Sequence, residues 1–170
     1  MGGSVDRSNV DNNRMAIDPQ LSSSGWRVIR VRRFETITRP QIKSLILRAV
    51  AAVEYPGTTP EDLYAEFVGA VAADTFGLFV GIAGNEPRAV VAAILPISAV
   101  MIAPQAILAY SESRPELTRM VALRLKAWLL EHGYHRMLAH NFYRKDGVFI
   151  RGFRHFGTGK AVASLIEFAF

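Results

Sequence analysis

The sequence predicts a single α/β (α+β) domain in which strands and helices alternate along the chain. Its 170 residues are the length of one ordinary domain. Half of them are hydrophobic and 21% are charged, which supplies enough apolar surface for a core. Segments with the two-residue repeat of strands are interspersed with segments that have the 3.6-residue repeat of helices. These patterns place the domain at residues 26–170, behind a polar arm at residues 1–25 that is rich in Ser, Asn and Asp.

The first half of the domain is predicted to contain one strand and two helices. Alternating apolar and basic residues at 28–34 are typical of a half-buried strand. Thr38 and Gln41 have the spacing of a capping box, and apolar residues at helical spacing follow them. A second helix is predicted to start behind Thr59, because Pro60 suits the first helical position.

The second half is predicted to consist mostly of strands around one long helix. Gly84 and Pro87 belong to a predicted hairpin turn. The long helix is predicted to open at Ser113 and to end at Gly133 as its C-cap. A short helix is expected at residues 147–156. The predicted strands of this half are 76–83, 88–95, 106–110, 136–141 and 161–170.

This order of elements over residues 26–170 resembles the fold of the Gcn5-related N-acetyltransferases (GNAT). The sharpest local feature is the passage from the strand at 106–110 into the long helix, followed by the strand at 136–141. In that family these positions hold the strand and helix that grip the cofactor and the strand that splays away from them. The resemblance implies a central mixed, mostly antiparallel sheet flanked by helices. It also implies acetyl-CoA as the cofactor of an active member.

The segment between that strand and the long helix departs from the family pattern. The family loop resembles Gln/Arg-x-x-Gly-x-Gly/Ala, in which glycines let backbone N–H groups approach the pyrophosphate. This chain has no glycine at 111–118, a proline at position 115, a predicted capping box between Ser113 and Glu116, and a further negative charge at Glu112. We therefore expect no bound cofactor. If acetyl-CoA does bind, the candidate contacts are Ser111, Ser113, Arg114 and Arg119.

Proton transfer is the second point of departure. Acetyl transfer to an amine needs a base for the nucleophile and an acid for the leaving thiolate. Many family members use a tyrosine on the short helix, but both matching registers of this chain carry phenylalanine instead. The remaining candidates are His140, Tyr143 and Tyr110. A histidine can act as a base near neutral pH, although a lone histidine at a strand end is more often only hydrogen-bonded or exposed.

Basic charge predicts an anionic partner for the last third of the chain. Residues 114–170 carry ten basic and four acidic side chains, whereas residues 26–113 carry eight of each. The partner is an acidic protein surface, a phosphate-bearing cofactor or nucleic acid. Interleaved aromatic residues favour nucleic acid, but Phe149, Phe153 and Phe156 also have the spacing of a helix core face. The candidate contact residues are Arg144, Lys145, Arg151 and Arg154.

Several classes of protein are excluded or not expected. The absence of cysteine excludes disulfides, thiolate nucleophiles and zinc fingers, and it is compatible with a reducing cytoplasm. The four histidines lack a metal-ligand spacing, so no metal is expected. No apolar run is long enough to span a membrane, and no membrane partner is expected. The polar arm is expected to contact another chain, with Met15 and Ile17 as apolar anchors.

Three functional hypotheses follow from these features. The first is a catalytically degenerate GNAT-like domain that serves as a structural or binding subunit of a larger assembly. Degenerate GNAT-like proteins occur among those of tailed bacteriophages, so this subunit would lie in the cytoplasm or in a phage particle assembled there. The alternative is an acetyl-CoA-dependent N-acetyltransferase that acts on an amine. The third is a nucleic-acid-binding module that uses the basic last third.

Overall fold

The computed structural model describes residues 25–53, 57–98, 101–112, 115–140, 158–162 and 165–169. Its helices are α1 (Phe34–Ile37), α2 (Pro40–Val53), α3 (Pro60–Ala70) and α4 (Pro115–Glu131). Its strands are β1 (Trp26–Val31), β2 (Phe76–Ala83), β3 (Glu86–Ile94), β4 (Gln105–Ser111), β5 (Arg136–His140), β6 (Thr158–Val162) and β7 (Leu165–Ala169).

The strands form one seven-stranded sheet in the order β1-β2-β3-β4-β5-β7-β6. Five of the six neighbouring pairs are antiparallel, and β4 with β5 is the parallel pair. A parallel pair needs a crossover connection, which α4 provides. The predicted mixed, mostly antiparallel sheet flanked by helices is therefore confirmed.

The ladder between β4 and β5 is short. It consists of Gln105 with Leu138 and Ala106 with Ala139. Strand β4 continues to Ser111, and on its other side it pairs with β3 along its whole length. The two parallel strands are therefore joined only near the start of β4.

Helices cover both faces of the sheet. Helices α2 and α3 pack on one face, in a core that includes Leu78, Val80 and Val90. Helix α4 packs on the other face, against Phe79 and Val91. Alternate residues of β2 and β3 thus point into opposite cores, as the pleat of a sheet requires. The apolar residues at helical spacing that the sequence predicts for α2 are all buried, and so is a stripe along α4: Ile42, Leu45, Ile46, Ala49, Val50 and Val53 of α2, and Leu117, Val121, Leu125, Trp128 and Leu129 of α4.

Helix α3 begins as the sequence predicts. Thr59 is its N-cap, and the Thr59 Oγ1 accepts a hydrogen bond from the Asp62 backbone N–H at 3.1 Å. Pro60 is the first helical residue, where its missing N–H costs nothing. The cap therefore satisfies one of the donors that a helix start leaves without an intrahelical partner.

The capping box predicted at Thr38 is wrong. Helix α2 begins at Pro40, and the Arg39 carbonyl accepts its first helical hydrogen bond, from Lys43, at 2.9 Å. The Thr38 hydroxyl instead donates to the Phe34 carbonyl of α1 at 2.8 Å. Proline sets the start in both helices, because it favours the first helical position, and Thr38 lies one residue too early to be the cap.

Helix α4 ends in a Schellman motif at Gly133, as predicted. Gly133 has a φ of +79°, a conformation that glycine adopts at little cost. The Gly133 N–H donates to the Leu130 carbonyl at 2.9 Å, and the Tyr134 N–H donates to the Leu129 carbonyl at 3.0 Å. This end directs the chain into β5.

The end of the chain differs from the prediction. The single strand predicted at 161–170 is two antiparallel strands, β6 and β7, and β7 lies between β6 and β5. The predicted helix at 147–156 lies outside the described residues. So do residues 1–24 of the arm, with Met15 and Ile17. Among the described helices, none combines the length and the apolar character needed to cross a membrane.

Candidate functional site

Four side chains meet at the end of β4, and we call them the Glu112 cluster: Arg48, Arg88, Tyr110 and Glu112. The Glu112 carboxylate accepts two hydrogen bonds from Arg48, from Nε to Oε1 at 2.6 Å and from Nη2 to Oε2 at 3.2 Å. The Tyr110 hydroxyl donates to Oε1 at 3.0 Å, and Arg88 Nη1 lies 3.7 Å from Oε2. The two-point contact with Arg48 is the geometry in which a guanidinium holds a carboxylate most firmly.

Three elements fix the position of this cluster. Helix α2 is anchored by its buried stripe, and it presents Arg48 next to Ser44, whose Oγ accepts from Arg48 Nη1 at 2.7 Å. Strand β3 supplies Arg88, and the Arg88 carbonyl accepts from the Glu112 backbone N–H at 2.8 Å. The β3–β4 ladder thereby extends one residue beyond Ser111. Glu112 is held through both its backbone and its side chain.

The cluster carries one carboxylate and two guanidinium groups, and Arg88 is also paired with Glu86. Hydrogen bonding from Arg48 lowers the pKa of the Glu112 carboxyl, and the bond from Tyr110 adds to this effect. Burial raises the pKa of the Tyr110 hydroxyl, and so does its bond to the carboxylate. Glu112 is therefore ionised at neutral pH while Tyr110 keeps its proton.

The start of α4 lies directly after this cluster. The Thr118 Oγ1 donates to the Ser111 Oγ at 2.8 Å, which ties the first turn of the helix to the end of β4. Arg119 is exposed. Ser113 and Arg114 lie outside the described residues. Of the four predicted cofactor contacts, Ser111 and Arg119 can be placed, and both lie within the passage from β4 into α4.

The catalytic candidates are placed only in part. Tyr110 belongs to the Glu112 cluster, where its proton is already donated to a carboxylate. His140 ends β5, directly after the last residue of the β4–β5 ladder, and it pairs with Leu165 of β7. Tyr143 lies outside the described residues. The predicted partner contacts Arg144, Lys145, Arg151 and Arg154 lie outside them as well.

Sequence reasoning missed the partners of Glu112. The sequence presents Glu112 as a charge that repels a phosphate, but the structure gives that charge two guanidinium partners. Arg48 is 64 positions away in the chain, so no local pattern connects the two residues. Within the part of the chain that the structure describes, no group of three or more His, Cys, Asp or Glu side chains could hold a metal ion.

Comparison with known proteins gives the class of fold. No family profile and no curated protein matches the sequence. Solved structures do match. A GNAT-family protein from Desulfovibrio desulfuricans aligns with 84% of this chain and 94% of its own, at a TM-score of 0.56 and 17% identity. The chain therefore has the GNAT fold.

Two further structures with this fold contain the cofactor. The PaiA N-acetyltransferase from Thermoplasma acidophilum, in complex with coenzyme A, aligns with 85% of this chain and 99% of its own, at a TM-score of 0.58 and 11% identity. YncA from Salmonella typhimurium, with its cofactor acetyl-CoA, aligns with 85% of this chain and 94% of its own, at a TM-score of 0.61 and 10% identity.

Proposed function

We propose that this chain is an acetyl-CoA-dependent N-acetyltransferase. The observation that carries the proposal is that the β4–β5 ladder ends at Ala106, so β4 is not joined to β5 at the end from which the chain enters α4; we call this unjoined part the β4–β5 opening. In the GNAT fold this is the place of the strand and helix that grip the cofactor, and two structures with the same fold contain coenzyme A or acetyl-CoA. The comparisons thus favour the acetyltransferase over the degenerate assembly subunit that the glycine-free loop suggests.

The residues at the end of β4 fit a phosphate-bearing cofactor. The carboxylate that opposes an anion there, Glu112, is paired with two arginines. Pro115 removes one backbone donor, but the first turn of a helix offers several more. We assign the phosphate contacts to the first-turn N–H groups of α4 and to Arg119. The hydrogen bond between Thr118 and Ser111 holds the first turn of α4 against the end of β4. The bound cofactor supplies an acetyl group activated as a thioester.

We assign the role of general base to His140. Its backbone position, at the end of β5 and just past the β4–β5 ladder, places it where the two parallel strands cease to be joined. Histidine has the pKa range that this role requires near neutral pH. Tyr110 is a positioning residue in this scheme, because its proton is committed to Glu112.

Binding of acetyl-CoA is the first test. Calorimetry and thermal melting of the full chain are expected to show binding, with roughly 2.7 kcal/mol of stabilisation at 100 times the dissociation constant. Arg119→Ala is expected to weaken binding, since it removes a cation near the phosphates. Arg124→Ala is the matched control, because Arg124 is also exposed on α4 but lies more than one turn further along. Equal losses in both variants contradict the assignment.

Catalysis is the second test. Acetyl transfer to a panel of primary amines is expected, and His140→Gln is expected to lower kcat by about 100-fold or more, the usual contribution of a general base. The wild-type rate should fall as the pH is lowered and the base gains its proton, and the variant should lack this limb. A variant with the wild-type pH profile excludes His140 as the base.

One observation favours a second candidate, the non-catalytic assembly subunit of the phage-particle type. Residues 111–118 contain no glycine, so the backbone cannot approach a pyrophosphate as it does in the family loop. If acetyl-CoA fails to bind at millimolar concentration, this candidate takes first place. A shift of the purified chain into a larger species with its partner, seen by light scattering, would then support it.

A further inference from the structure

We propose that Arg48 and Arg88 hold the Glu112 carboxylate away from the start of helix α4, and so keep that start available to the phosphates of acetyl-CoA. Glu112 is then a built-in competitor that the two arginines restrain. Arg48 and Arg88 are positioning residues, because they act through Glu112. The inference rests on the proposed function, since it concerns the same cofactor.

The chain itself puts the competitor in place. Glu112 stands three positions before Pro115, the first residue of α4. A helix start carries a partial positive charge and several N–H groups without intrahelical partners. Acidic side chains are therefore favoured there, for the same reason that phosphates are. A carboxylate on this short tether competes directly with a phosphate for the helix start.

The observed contacts draw that carboxylate toward α2 and β3. Both carboxylate oxygens accept from Arg48 of α2, and Arg88 of β3 lies 3.7 Å from Oε2. The Glu112 side chain is 20% exposed. Arg48 is itself braced by Ser44 one turn earlier in α2. The position of Glu112 therefore depends on α2, which the core holds in place.

Stability alone does not explain the arrangement. The side chains of Arg48 and Arg88 are 48% and 44% exposed, and ion pairs at such exposure contribute little to folding stability. The contacts of Arg48 and Arg88 do fix the position of a negative charge close to the start of α4, beside the β4–β5 opening. A role in binding predicts effects on cofactor affinity that are larger than the effects on melting.

Three variants test the inference by calorimetry with acetyl-CoA. Arg48→Gln removes the two-point contact on Glu112 and is expected to weaken binding about fivefold to tenfold, the scale of repulsion between charges about 4 Å apart in water. Glu112→Gln removes the competitor, so its affinity should stay within about twofold of wild type or be tighter. The double variant should recover the affinity of Glu112→Gln, since Arg48 then has nothing to restrain. Thermal melting of all three checks that they remain folded.

Arg32→Gln is the matched control. Arg32 follows the last residue of β1 and forms a half-exposed ion pair with Asp74. This ion pair lies away from the start of α4. Its loss should leave the affinity for acetyl-CoA unchanged. A double variant that stays as weak as Arg48→Gln overturns the inference, because Arg48 then acts on the cofactor or the fold without Glu112.

A titration with inorganic pyrophosphate separates this inference from the proposed function. If the wild type binds acetyl-CoA but Arg48→Gln binds it equally well, the inference fails and the acetyltransferase stands. If the wild type binds pyrophosphate but not acetyl-CoA, and Arg48→Gln weakens the binding of pyrophosphate, the acetyltransferase fails and the restraint of Glu112 serves another phosphate ligand. If neither ligand binds, there is no anion site to protect, and both are overturned.

Discussion

Two glycines of β2 let helix α4 approach the sheet closely. A Cβ built at Gly77 would lie 2.6 Å from the Trp128 ring, and one at Gly81 would lie 2.7 Å from a Val121 methyl group. Both partners are buried, so neither has room to move. The position of α4, and with it the helix start beside the β4–β5 opening, depends on these two missing side chains.

We predict that Gly77→Ala and Gly81→Ala each destabilise the domain by about 1–3 kcal/mol, the usual cost of overpacking a core. Urea unfolding and thermal melting measure the change. Gly69→Ala is the control, since a Cβ at that exposed position of α3 meets nothing within 4 Å. It should be neutral or stabilising by up to about 1 kcal/mol, because alanine favours helix. A Gly77→Ala variant that melts with the wild type contradicts the close packing.

The ionisation of Glu112 predicts a dependence of stability on pH. Hydrogen bonding from Arg48 lowers the pKa of Glu112 in the folded state below its ordinary value. The folded state therefore favours the ionised form, so the contribution is present at neutral pH and is lost as the pH falls through the folded pKa. At this exposure it amounts to about 0.2–1 kcal/mol. The stability difference between wild type and Glu112→Gln should shrink as the pH falls from 7 to 3, and a constant difference counts against it.

At the scale of the elements, two threonines near prolines behave differently. We predict that Thr59→Ala costs about 0.5–2 kcal/mol, because Thr59 caps α3 and accepts from the Asp62 N–H. Thr38→Ala should cost less, since the Thr38 hydroxyl only donates to the carbonyl of Phe34, the first residue of the one-turn helix α1. The two variants, compared by urea unfolding, control for each other. Equal losses would mean that Thr38 has a capping role that its contacts do not explain.

Local sequence patterns predict those features of the fold that depend on residues close together in the chain. The buried stripe of α2 and the C-cap at Gly133 are both predictable, since they depend on helical spacing and on a left-handed backbone conformation. Strands β6 and β7 are not separable in the sequence. The two positions between them, Ala163 and Ser164, carry no glycine, proline or asparagine to mark a turn.

The candidate site is less predictable than the fold. The family resemblance selects the passage from β4 into α4, and the structure confirms that these elements adjoin. The arginine that holds Glu112 comes from α2, and only the packed fold brings it there. The sequence therefore places the charge of Glu112 correctly but predicts the wrong effect for it, because its partner Arg48 is distant in the chain.

At the scale of the whole molecule, basic charge is more widespread than the last third. Residues 26–53 carry seven basic side chains and one acidic one, and residues 54–113 carry one basic and seven acidic. The net charge of residues 26–113 is zero only because these two segments cancel. In the first of these segments Arg33 and Arg39 are exposed, while Arg32 is paired with Asp74. These exposed arginines provide a second positive region for comparison.

We predict that the last third binds anions in a salt-dependent way. Salt screens exposed charges, because the Debye length falls from ~10 Å at 0.1 M to ~3 Å at 1 M. Substituting glutamine at four positions removes positive charge, so the chain should elute from a polyanionic resin at lower salt. The positions are Arg144, Lys145, Arg151 and Arg154. Arg33→Gln with Arg39→Gln is the control. Equal shifts per charge removed would show general basicity and no special role for the last third.

The polar arm is predicted to serve assembly and not folding. Among the described residues, Trp26 is the first that packs against a core, and the Gly25 carbonyl accepts a hydrogen bond from the Gly84 N–H at 2.9 Å. We therefore expect the first strand to form without residues 1–20. Their deletion should shift the melting temperature by less than about 2–4 °C, the shift that 1 kcal/mol produces in a domain of this size. The mass of the purified chain and of its complexes, measured by light scattering, should show weaker assembly.

Replacing Met15 and Ile17 by serine in the full chain separates the effect of the apolar anchors from the effect of arm length. A truncated chain that unfolds would contradict the prediction, because the loss of a segment can destabilise the domain only if the segment contributes to its folding energy.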